Sequence, residues 1–149
     1  MRYEEVYSRF YVRISDPGFF QIPQADAYEM MNEWLHSALS EPYIKKLFTS
    51  LTINDEIMEL SYTMNPSVDP DSDDMFLKEI LSDYLVVCWM RRKIDTDINL
   101  SFILGGKEEK VLKDAYKTNI ARVNDLERSI KKTIRDYRYN NSNLSEGSL

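Results

Sequence analysis

Cysteine and histidine are almost missing from this chain. One Cys in 149 residues excludes an internal disulfide framework and a cysteine-based zinc site. One His excludes a two-histidine metal motif and leaves little for triad chemistry. Glycine and proline are scarce as well, at 4 and 5 residues, which argues against an all-β sandwich with its many tight corners. Long hydrophobic runs are absent. The longest apolar cluster, Tyr84-Leu85-Val86-Val87-Cys88-Trp89-Met90, is far short of the roughly twenty residues of a membrane-spanning helix, so it reads as core. Cys88 inside it reads as a small buried hydrophobe. The opening Met1-Arg2-Tyr3-Glu4-Glu5 has no signal-peptide character, so the expectation is a cytosolic protein.

What is present suits one domain. Hydrophobic residues make up 43% and aromatics 12%, enough to build a core. Charge is divided along the chain. Residues 1–90 hold 6 basic and 16 acidic residues, a net of −10; residues 91–138 hold 13 and 8, a net of +5; one acid follows, which returns the total of −6. Such a division bears on association rather than on fold. Nucleic-acid binding is disfavoured, because Asp114, Asp125, Glu127 and Asp136 interrupt the basic stretch and the pI is near 4.9. The division fits either a solvated helix with ordinary ion pairs or self-complementarity, in which acidic surface on one copy meets basic surface on the next.

The periodicity is mostly helical. Tyr3, Val6, Tyr7, Phe10 and Ile14 form an amphipathic stripe over about 2–14, ended by Asp16-Pro17-Gly18. Phe19-Phe20 in the following loop should anchor it to the core. Pro23 opens a second helix with Tyr28, Met31, Trp34, Leu35, Ala38 and Leu39, and His36 on its flank. Pro42 opens a short third. Period-two alternation around Thr52-Ile53 and Met58 to Thr63 predicts a β-hairpin at about 51–63 with a turn near 54–56. A lone hairpin is marginal in water, so it should pack on helices or pair with a neighbouring chain.

Asn65 to Asp74 reads as an acidic loop. Asp69, Asp71 and Asp73 imitate the first half of a calcium loop, but Asp74 stands where Gly is needed and Ile80 where Glu should chelate. Helix capping explains these acids better. A central helix, apolar nearly all round, is expected over about 73–93, closed by Arg91-Arg92-Lys93. Residues 94–106 read as a loop with Phe102-Ile103-Leu104 docked. Gly105-Gly106-Lys107 lacks the strand and spacing of a phosphate loop. A helix from Glu108 should pause or bend near Thr118-Asn119. It then runs on with an Ile120, Val123, Leu126, Ile130, Ile134, Tyr137 stripe and a far side of Arg122, Arg128, Lys131, Lys132 and Arg135. The last eleven residues are polar and read as a flexible tail. The expected fold is mainly α: a helical bundle around the 73–93 helix, with a small hairpin and an extended C-terminal tail. Residues 1–138 form one domain and 139–149 the tail.

Some of these segments resemble the head–tail connector, or neck adaptor, proteins of tailed bacteriophages. The residues concerned are Tyr3-Glu4-Glu5-Val6-Tyr7-Ser8-Arg9-Phe10 with Ile14-Ser15-Asp16, Glu79-Ile80-Leu81 leading to Cys88-Trp89-Met90, Lys107 to Tyr116, and Tyr137-Arg138-Tyr139-Asn140-Asn141. Ala115-Tyr116 and Lys117-Thr118 depart from that family's pattern. The resemblance implies a non-enzymatic virion protein made in the host cytoplasm. It implies a ring, typically of twelve copies, below the portal, extending a DNA channel without specific DNA binding and docking the next neck or tail component. It implies no cofactor, metal or membrane. Expected contacts between copies are Asp69, Asp71, Asp73 and Asp74 with Arg128, Lys131 and Arg135. Expected portal contacts are Tyr137, Arg138, Tyr139, Asn140, Asn141 and Asn143. The alternative is a small monomeric cytosolic helical regulator that binds a host protein.

Overall fold

The structure is a computed structural model that describes the backbone of residues 1–146 and the side chains of residues 1–142. Helix α1 spans Tyr3–Arg13, α2 Pro17–Phe20, α3 Gln24–Ser40 and α4 Pro42–Lys45. Strands β1 (Phe48–Asn54) and β2 (Glu59–Met64) follow, then α5 (Pro70–Ile103) and α6 (Gly106–Glu146). The fold is mainly helical, as the periodicity predicts.

Helix α1 buries Tyr3, Val6, Tyr7 and Phe10, and α3 buries Ala27, Met31, Leu35, Ala38 and Leu39. Both faces close on α5, which is buried at Leu77, Ile80, Leu81, Tyr84, Leu85 and Val87. Each large side chain withdrawn from water contributes about 1.5–3 kcal/mol. Of the two loop aromatics, Phe19 enters the core and Phe20 stays about half exposed. Phe19 sits edge-on to Phe10 and stacks on Trp34, with ring centres 5.6 and 6.0 Å apart. Asp16 holds this corner twice. It caps α2 by accepting the Gly18 N–H at 3.1 Å, and it accepts the Trp89 indole N–H at 3.0 Å.

Both boundaries of α5 differ from expectation. Helix α5 starts at Pro70, three residues early, because Asp69 is its N-cap and accepts the Ser72 N–H at 2.7 Å. It also runs on through 94–103, where a loop was expected. Arg91-Arg92-Lys93 look like a C-terminal charge cluster, but Ile94 and Ser101 are buried beyond them and continue the same helical face. Phe102 and Ile103 are therefore not docked; they are 75% and 79% exposed at the far end of the helix. The turn to α6 is short, with Gly105 and Gly106 at φ of 129° and 69°, where a side chain is strained.

Helix α6 does not break at Thr118-Asn119. Thr118 donates its hydroxyl to the Asp114 carbonyl at 3.2 Å and so meets its polar need inside the helix. At 41 residues the helix is about 60 Å long. Val123, Ile130 and Ile134 are its buried stripe. Residues 139–146, expected as an extended tail, continue this helix; residues 147–149 lie outside the described residues.

Candidate interaction site

Asp73 and Tyr137, one from each of two sets of expected contacts, are partners of each other. Asp73, one turn into α5, is only 5% exposed. It accepts the Tyr137 hydroxyl of α6 at 2.6 Å, the Val68 N–H at 3.1 Å and the Ser67 hydroxyl. The Tyr137 ring lies flat on Phe76, 3.8 Å between centres and 11° between planes. A buried carboxylate needs such donors, because desolvation without them is costly. Asp73 and Tyr137 therefore pin the C-terminal end of α6 to the start of α5. Burial and the negative Asp73 push the Tyr137 pKa up, since both disfavour a phenolate.

The other acids of this corner divide by role. Asp74 accepts the Tyr62 hydroxyl at 3.0 Å and pairs with Lys78 at 2.7 Å. Lys78 also reaches Glu5 at 3.0 Å, and these two acids hold the ammonium pKa up. The Ser72 N–H beside Asp69 keeps that carboxyl below the usual range. Asp71 is exposed and has no partner among the described residues. It lines a cleft of about 640 Å³ that also carries Met1, Tyr62, Ser67 and Pro70. Of the four expected acidic contacts, Asp71 alone is left free.

Of the expected basic contacts on α6, Arg128 and Arg135 are exposed and Lys131 faces α4. Arg128 pairs with Asp125 of its own helix at 3.2 Å, both about three-quarters exposed. Lys131 stands over the Tyr43 ring, 5.2 Å from its centre, and so helps dock α6 on α4. Arg135 is 4.0 Å from Asp136 and highly exposed. The sequence places Arg122 and Lys132 on the far side of this helix without a contact role and makes Arg138 an expected portal contact. Arg122, Lys132 and Arg138 are exposed and have no acidic partner among the described residues. Glu127, by contrast, is drawn to Arg91 and ties α6 to α5.

Past the Tyr137 anchor, Arg138, Tyr139 and Asn140 are exposed and Asn141 is half-buried; the Asn143 side chain lies outside the described ones. Cys88 is a half-buried free thiol whose pKa burial pushes up to about 12. His36 is half-buried and sits 2.9 Å from Asp55, which also accepts the Tyr3 hydroxyl at 2.6 Å, a link between α3, α1 and the hairpin turn. Among the described residues no cluster of His, Cys, Asp or Glu could hold a metal, and no helix is long and apolar enough to cross a membrane. Comparison with family models, with curated proteins and with solved structures finds no match.

Proposed function

We propose that this chain is a structural adaptor of a tailed-phage neck, non-enzymatic, whose copies form a ring against the portal and extend the DNA channel. The carrying observation is the distribution of unpaired charge. Arg122, Lys132 and Arg138 are exposed and unpaired at different positions around α6, while residues 1–90 carry a net of −10 and leave Asp71 free at the acidic corner. A surface basic in one place and acidic in another favours contacts between unlike patches of successive copies, the contact type that closes into rings. The Tyr137 anchor supports the same reading. It fixes the direction in which α6 leaves the body, so Arg138, Tyr139 and Asn140 are offered from a rigid base to the portal.

Co-sedimentation with a purified portal tests this. The intact chain is expected to travel with the portal. Lys132→Glu with Arg138→Glu should weaken that association severalfold and steeply with salt, as screening predicts. A chain ending at Arg138 should keep its fold, because Asp73 and Tyr137 remain, and dock to the portal more weakly. Failure of the intact chain to bind any portal, with a single host protein captured instead, would favour the monomeric regulator.

A further inference from the structure

The hairpin has one covered edge and one open edge. On the β2 side, Leu60 donates its N–H to the Met1 carbonyl at 2.7 Å and accepts from the Met1 amine at 2.9 Å, and Met58 accepts the Tyr3 N–H at 2.9 Å. The polar backbone groups of Leu60 therefore point away from β1. Leu60 faces Ile53 across the hairpin, and Leu51 faces Tyr62. In an antiparallel pair, opposed residues whose groups point apart alternate with those that bond each other. The N–H and C=O of Ile53, and of Leu51 two residues away, thus point to the outer edge. None of these four groups has a partner among the described residues.

Strand β1 reads Phe-Thr-Ser-Leu-Thr-Ile-Asn, with no charge and no proline along it; its one irregularity, between Phe48 and Ser50, lies before the Leu51–Ile53 segment. A groove of about 580 Å³ runs beside it, lined by Leu39, Lys45, Lys46, Phe48, Leu51 and Ile53.

We propose that β1 of one copy pairs antiparallel with β1 of a second copy, about a two-fold axis at Thr52. This register sets Leu51 against Ile53 of the second copy twice over, so four free donors and acceptors meet four. Centring on Leu51 or Ile53 instead leaves one of the two residues without its match. Charge selects the same direction. The strand is entered from Lys45-Lys46 and left through Asp55-Glu56, and Lys45, Lys46 and Glu56 have no side-chain partner among the described residues. Antiparallel pairing brings the basic entrance of one strand beside the acidic exit of the other; parallel pairing would set like beside like. A two-fold contact closes at two copies, so it is separate from any ring contact and describes the protein free of the portal.

Sedimentation of the full chain tests this, with single-cysteine cross-linking in variants that also carry Cys88→Ser. The intact protein is expected to reach a dimer as concentration rises. Thr52→Cys places two thiols opposite each other on the axis, within disulfide reach, and should give a disulfide-linked dimer under mild oxidation. Ser50→Cys, displaced from the axis, should not. Thr52→Lys, exposed and with its hairpin bonds intact, should keep the circular dichroism of the intact chain and weaken the dimer severalfold, since like charges then face each other. A chain that stays monomeric, a dimer that Thr52→Lys leaves unchanged, or equal cross-linking of both cysteine variants would overturn the proposal.

Discussion

Asp73 concentrates the structural consequences of single residues. Three donors converge on its buried carboxylate, and one of them, Tyr137, lies 64 residues away. Tyr137→Phe keeps the stack on Phe76 and removes one hydrogen bond to a charged acceptor, so a loss of about 1.5–3 kcal/mol is expected in urea unfolding. Asp73→Ala strands all three donors and should cost more. The titrating side chains set the pH range of stability. Asp16, held low first by the Trp89 N–H, and Asp55, held low first by the Tyr3 hydroxyl, are more acidic folded than unfolded. Their contribution is complete above the unfolded carboxylate value of about 4 and disappears as pH falls below it. Tyr3, Tyr62, Tyr84 and Tyr137 are shifted upward, chiefly by burial. Their contribution is complete below the unfolded tyrosine value of about 10 and is lost as pH rises beyond it. Melting temperature against pH should therefore be a plateau with an acid and an alkaline shoulder; a maximum confined to the histidine range would contradict this.

At the scale of elements, the exposed and buried parts of the α5–α6 hairpin should respond differently to change. Ile130 is 1% exposed, and Ile130→Ala should cost about 2–5 kcal/mol. Phe102→Ser and Ile103→Ser, at the far end, should leave thermal stability nearly unchanged. Gly105→Ala should cost about 1–3 kcal/mol, because φ near 129° strains any side chain. How far the sequence reveals these elements depends on which signal dominates locally. Apolar spacing defines α1 and the hairpin to within a few residues, since their stripes are uninterrupted. The end of α5 is obscured by Arg91-Arg92-Lys93, whose charges imitate a helix terminus. Yet Ile94, Ile98 and Ser101 carry the helical spacing forward and could have revealed the extension. Thr118 and Asn119 disguise the continuity of α6 in the same manner, because propensity is weak beside the packing of a long helix on its neighbour. The Asp73–Tyr137 contact was not legible at all. Both residues stand out as candidates for external contacts, and only the antiparallel return of α6 brings them together.

At the scale of the whole molecule, the fold divides its ionic groups into those that hold the chain together and those left over. Arg9, Arg13, Glu79 and Asp83 join α1 to α5, and Lys78 joins Glu5 to Asp74. Arg122, Lys132, Arg138 and Asp71 have no such task. On the proposed reading they serve neighbouring copies and the portal, and the open β1 edge serves a second copy when the portal is absent. Self-pairing and ring formation are then expected to fail independently. Thr52→Lys should spare assembly on the portal, and Lys132→Glu with Arg138→Glu should spare the free dimer. Electron microscopy of a purified portal incubated with the intact chain tests the central claim most directly. The expected result is a closed ring of this protein, coaxial with the portal, with the basic side of α6 turned to a neighbouring subunit. A bare portal, or isolated subunits attached without contact between copies, would contradict it.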